Sequence, residues 1–268
     1  MSLWQTTALG ALAGFTIYLG LPVARMGPQN RTTQNLLNSV AVGVLLFLIW
    51  DILSKAQDPI EKALTAATRS GYWSTFASLV LMFVLGLVIG LIGLVTFAEG
   101  ARRRGRSRMR AGGDLRLGAP QLTLLVATGL GLHNFSEGLA IGQAASTGAI
   151  GFAVVLIVGF GLHNITEGFA VAAPMAAVGY TPSWAFLGAA GLIGGGPTFL
   201  GTLIGYRVAS PQAFVLFLAL AAGALFYVLG EMFAVGRRFE QAPVSAWGIL
   251  AGFLAAYATD LILTIGGV

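Results

Sequence analysis

Eight stretches of this chain read as long apolar runs, at roughly 3–23, 36–53, 72–98, 120–145, 149–178, 184–206, 212–234 and 246–266. A helix needs about 20 predominantly apolar residues to cross the hydrocarbon of a bilayer. Lipid offers no hydrogen-bond partners, so a spanning backbone must be helical or form a closed barrel. Runs of this length specify helices. The expected fold is therefore all-α, a polytopic membrane bundle of eight transmembrane helices. Composition agrees: only 9% of the 268 residues are charged and mean hydropathy is +0.83, against about 25% charged in soluble domains. Thirty-eight glycines suit membrane helices that pack closely. The lack of cysteine excludes disulfides and thiolate metal sites.

Charge placement gives an orientation. With the N-terminus outside, eleven of the fifteen Lys and Arg residues fall in cytoplasmic loops, and only Lys55, Lys62, Arg69 and Arg207 fall outside. Positive charge stays inside, so both termini are expected to face out. No Lys or Arg precedes the first apolar run, which therefore reads as a retained helix rather than a signal peptide. The five tryptophans (Trp4, Trp50, Trp73, Trp184 and Trp247) lie near the expected span ends, where interfacial rings belong. The chain reads as one membrane domain, with helices 1–3 in 1–98, an Arg-rich cytoplasmic loop over 99–119 and helices 4–8 in 120–268. The run from Arg102 to Arg116 serves either as a contact for anionic lipid or as a loop that enforces topology, the commoner use of charge runs.

Five of the ten acidic residues, Asp51, Glu137, Glu167, Glu231 and Asp260, lie inside or near the ends of apolar runs, and both histidines, His133 and His163, are mid-run. A charge at the bilayer centre costs at least about 2.5–3.5 kcal/mol, so these side chains must be paired, protonated or facing a cavity. Their order is repeated: HNFSEG begins at His133 and HNITEG at His163. In each copy His and Glu are four apart and share a helix face, with Asn134 and Asn164 beside them. Two adjacent helices can thus converge two imidazoles, two carboxylates and two amides.

That set suits a divalent transition metal. Imidazole and carboxylate both bind zinc, at about 2.0–2.2 Å. Two neutral imidazoles and two carboxylates carry a charge of minus two, which cancels a dication in low dielectric. Without thiolates the site should exchange its ion, as a carrier requires. Consecutive spanning helices run antiparallel, so the two copies are related by a pseudo-twofold axis in the membrane plane, the inverted symmetry found in secondary transporters.

GLHNFSEGLAIG and GLHNITEGFAVA resemble the two metal-binding helices, fourth and fifth of eight, of the ZIP (zinc/iron permease) family of divalent-metal transporters. The resemblance covers most of the chain, through eight segments, outward termini and a long loop after the third. It implies a 3+2+3 arrangement whose outer triplets are related by inversion. It also implies alternating access at a midplane site, with zinc, iron, manganese or cadmium as substrate and no resident cofactor. Carried over, His133, Asn134, Glu137, His163, Asn164 and Glu167 are the metal-binding set. LLFLIWDILSKA resembles the second helix and makes Asp51 a pathway residue. GALFYVLGEMF resembles the seventh and makes Glu231 a transfer ligand. Asp260, in AGFLAAYATDLIL, matches a membrane-embedded Asp of the eighth, with a structural role equally open.

The resemblance departs at three places. Ser136 and Thr166 stand where the family carries proline; they restore an N–H and can bond back to the i−4 carbonyl. In GLIGGGPTFLG, Gly196 precedes Pro197 where many members have a glutamate that helps hold a second metal, so one principal site is expected and Gly194–Pro197 should break the helix. The Arg-rich loop has no histidine, which leaves loop-based metal sensing without support.

The reading is a secondary transporter of divalent metal, zinc first, in a bacterial or archaeal plasma (inner) membrane. Its expected partners are the metal ion, the bilayer, an anionic lipid at Arg102–Arg116 and a second copy of the chain in a homodimer, but not nucleic acid. The alternative is a proton-coupled carrier of another solute that uses the His/Glu pairs as a relay. An intramembrane metalloenzyme is disfavoured, because HExxH is absent and few ligands are spare to activate water.

Overall fold

A computed structural model describes residues 1–26, 30–108, 118–146, 148, 150–208 and 210–265. Its helices are α1 (Leu3–Phe15), α2 (Arg31–Ser70), α3 (Ser74–Arg108), α4 (Ala119–Ser146), α5 (Ile150–Ala176), α6 (Trp184–Gly205), α7 (Pro211–Gly236) and α8 (Ala242–Ile265). Tight 3-10 turns over Thr16–Leu19 and Leu21–Arg25 prolong α1. No strand occurs among the described residues. Local chemistry sets the starts: Ser2 and Gln5 form a capping box on α1, while Asn30, Ser183 and Ser210 accept from backbone N–H groups of α2, α6 and α7.

Six spans, Leu3–Arg25, Arg31–Ser70, Ser74–Gly100, Trp184–Gly205, Pro211–Phe239 and Ala242–Leu261, are long and apolar enough to cross a membrane. This is the character of an integral membrane protein. The other two helices, α4 and α5, have spanning length at 28 and 27 residues but carry the repeated His, Asn and Glu. They lie at the centre. α4 packs on α6, α7 and α5, and α5 also packs on α1, α2 and α8. The most extensive pairings elsewhere are α3 with α7 and α2 with α8.

Three features differ from the sequence expectation. First, α2 does not end near residue 53 but runs to Ser70, so Lys55, Lys62 and Arg69 are helical rather than in a loop. The extension is laced by i,i+4 pairs, Lys55–Asp51 at 2.7 Å, Lys62–Asp58 at 2.6 Å and Gln57 with Glu61, and it stops at Gly71 in the left-handed region (φ 77°). Trp50 consequently falls in mid-helix, although all five tryptophans are exposed on the outside of the bundle. Second, α3 continues through Arg108. The rest of the Arg-rich run and the side chains of Arg102–Arg116, with the lipid contact expected there, lie outside the described residues.

Third, the break expected at Gly194–Pro197 is absent; Pro197 sits inside a continuous α6. Proline leaves the i−4 carbonyl without its helical donor. Here that carbonyl, on Ile193, is approached by Gly131 of α4, and the Asn134 amide donates to the next one, on Gly194, at 3.0 Å. α4 thus packs closely over the turn that holds the proline.

The glycines that end the two HNxxEG copies explain how neighbours come so close. A Cβ on Gly138 would collide with the Thr198 carbonyl of α6, and one on Gly168 with the Ile17 carbonyl after α1. By contrast, a Cβ on Gly230 would meet nothing within 4 Å. Overpacking costs about 1–3 kcal/mol, so Gly138→Val and Gly168→Val should each lower the detergent melting temperature by several degrees. Gly230→Ala should leave it unchanged or slightly raised; thermal melts followed by size-exclusion recovery check both.

Candidate metal centre

His133 and Glu137 project from one face of α4, and His163 and Glu167 from one face of α5. All four are 3% exposed or less. One ligand atom from each lies within 4.8 Å of all the others. Along α4, His133 Nε2 is 3.3 Å from Glu137 Oε1; along α5, His163 Nε2 is 3.8 Å from Glu167 Oε1. Across the helices, His133 Nε2 is 3.7 Å from Glu167 Oε1. Ligands about 2.1 Å from a tetrahedral zinc stand about 3.4 Å apart, so the observed separations already approach those of a coordination shell.

Neighbouring residues aim these groups. The Asn134 amide donates to Glu167 Oε2 at 2.8 Å as well as to the Gly194 carbonyl of α6. Asn164 donates to the Ala13 carbonyl of α1 at 3.1 Å. Each asparagine therefore pins its motif to a flanking helix and keeps a buried Oδ1 without a partner among the described residues. Thr259 orients His163. Its hydroxyl donates to the Ala256 carbonyl at 2.7 Å, leaving a lone pair 3.3 Å from His163 Nδ1. His163 then carries its proton on Nδ1 and turns the Nε2 lone pair towards Glu167. The Phe47 ring stands edge-on to this imidazole, centroids 6.3 Å apart, and limits water on that side.

The arrangement is rich in acceptor atoms. Eight polar atoms of His133, Asn134, Glu137, His163, Asn164 and Glu167 are buried without a hydrogen-bond partner among the described residues. All but one of these atoms are lone-pair acceptors whichever tautomer His133 adopts, and a cation satisfies several at once. The residues fit a divalent metal: two nitrogens and two carboxylates, with amide oxygens beside them.

Ser136 and Thr166 do bond backward, though differently. Ser136 Oγ reaches the i−4 carbonyl of Leu132 at 3.5 Å, whereas Thr166 takes the i−3 carbonyl of His163 at 2.6 Å. Both helices stay continuous. A Cβ on Gly196 would meet only Leu192 of its own helix within 4 Å, so position 196 does not face α4.

The remaining expected residues fall elsewhere. Glu231 lines a cavity of about 230 Å³ with Arg31, Gln34, Pro174 and Arg238; along α5, Pro174 is about 10 Å past Glu167. Asp51 and Asp260 stand outside the four-residue group and share Lys55, at 2.7 and 4.0 Å. Sequence reasoning missed Thr259, whose only signal was its neighbour Asp260, and Lys55, which the expected loop concealed.

Losing the group that fixes a ligand histidine costs about 10–100-fold in metal affinity. Thr259→Val should therefore weaken Co²⁺ binding about tenfold, and Thr259→Ser should restore it; visible absorption titration in detergent measures both. No protein-family model matches this chain, and no curated protein does either.

Proposed function

We propose that this chain is a secondary transporter of divalent transition-metal cations, zinc foremost, of the ZIP kind that its repeated HNxxEG motif resembles. The observation that carries the reading is the buried convergence of His133, Glu137, His163 and Glu167 on one point with unpaired acceptor atoms. Such a group on two central helices is costly without a cation and well matched to one. Carboxylate and imidazole without thiolate favour exchange over permanent retention.

The helix pairings support the 3+2+3 arrangement. Exchanging α1 with α6, α2 with α7, α3 with α8 and α4 with α5 maps each of the pairs α4–α6, α3–α7 and α4–α7 onto an observed pair, α5–α1, α8–α2 and α5–α2. The same exchange relates Asn134 on Gly194 to Asn164 on Ala13, and Gly138 on Thr198 to Gly168 on Ile17. An inverted pair of half-structures around one site suits alternating access. In this reading both termini face out and the ion leaves its water to bind the four groups. It then departs towards the cavity at Glu231.

Purified protein in liposomes with a trapped fluorescent indicator tests this. Zinc influx should be abolished by His133→Ala and by His163→Ala. Influx in the wild type should also fall as pH is lowered, because protons compete for imidazole and carboxylate. Absence of influx for zinc, iron and manganese, with proton flux still dependent on both histidines, would overturn metal transport in favour of the relay.

A further inference from the structure

Among the described residues, Lys55 pairs with both Asp51 and Asp260, on the two helices whose Phe47 and Thr259 touch His163. Its ammonium is 2.7 Å from Asp51 and 4.0 Å from Asp260, and 5.5 Å from the centroid of the Phe160 ring. Each of these contacts leads to the histidine of α5. Phe160 precedes His163 by three residues. Asp51 is one turn beyond Phe47, whose ring meets His163. Asp260 follows Thr259, which bonds His163. The carboxylates are largely withdrawn, with side chains 7% and 17% exposed, while the lysine side chain is 32% exposed at the end of a flexible stem.

We propose that Lys55 determines charge selectivity, acting as a tethered monovalent cation that holds Asp51 and Asp260 beside the His/Glu centre and yields to dications but not to free monovalent ions. This rests on the metal-transport reading above. A tethered ammonium competes at the high effective concentration of an intramolecular group. A free sodium ion offers each carboxylate the same charge and gains nothing by the exchange. A dication doubles the Coulomb attraction at every carboxylate it meets, so it displaces the ammonium, whose stem lets the charge swing towards water. Selectivity here is a difference between two competitors for the same carboxylates.

The test is Co²⁺ affinity of the purified full chain, read from its visible absorption at constant ionic strength, with sodium replacing N-methyl-glucamine. Wild type and Lys55→Arg should be indifferent to sodium. Lys55→Gln should bind Co²⁺ about tenfold tighter without sodium and lose most of that gain when sodium is present. Because Lys55→Gln strands a buried carboxylate and risks misfolding, Asp51→Asn/Lys55→Gln is measured beside it. It too lacks the tethered cation and should become sodium-sensitive. A merely structural lysine would leave the double variant indifferent to sodium, and that result would overturn the role of Lys55 alone. Wild-type protein that binds no Co²⁺ through His133 and His163 would overturn the transport reading and this role with it.

Discussion

Two carboxylates and two imidazoles held together between α4 and α5, away from water, are the constraint around which the bundle is arranged. One ligand atom from each lies within 4.8 Å of all the others, which brings lone-pair-bearing atoms together. The surrounding structure must supply both the force that keeps them there and the chemistry that satisfies them. It does so with backbone carbonyls from α1 and α6, taken up by Asn164 and Asn134, and with close approaches at Gly138 and Gly168. A larger residue at either glycine would push the flanking helix outward and loosen the asparagine bond one turn away. The six-residue motif is therefore a packing device as well as a candidate ligand set: His and Glu point inward, Asn anchors sideways and Gly admits the neighbour.

The helices are continuous through this region. α6 carries Pro197 without breaking, with α4 packed closely against it and Asn134 bonded to the Gly194 carbonyl. In α4 and α5, Ser136 and Thr166 keep their N–H groups and turn their hydroxyls onto carbonyls of the preceding turn. Continuous central helices keep His and Glu of each copy one turn apart. The distances between the copies are then set by how α4 and α5 sit against each other.

α2 joins this centre to the surface. Its inner portion packs Phe47 against His163, its middle pairs Asp51 with Lys55 one turn on, and its outer portion is a polar helix closed by Gly71. One element thus runs from lipid-facing core to solvent with no joint, and a shift of that helix would be felt at both ends. Thr259 and Asp260, adjacent residues on α8 that contact His163 and Lys55 respectively, tie those two side chains to a single turn.

How much of this could be read beforehand depends on the range of the interaction. Long apolar runs specified spanning helices because lipid leaves the backbone no other means of hydrogen bonding. The four-residue spacing of His and Glu placed them on one face because that is the period of the helix. Those are local rules, and the four groups that meet in the centre were legible from them. The polar end of α2 was not. Its i,i+4 ion pairs were present in the sequence, but hydropathy alone reads charged residues after an apolar run as a loop. Thr259 and Lys55 carried no distinguishing pattern, since their roles exist only once α8 and α2 lie against α5. The sequence by itself determined the helical class, the central pair of helices and the ligand-bearing faces. The tertiary structure alone decided which carbonyls receive Asn134 and Asn164, which hydroxyl orients His163 and which cation stands beside the centre, because each of those contacts joins residues brought together only by packing.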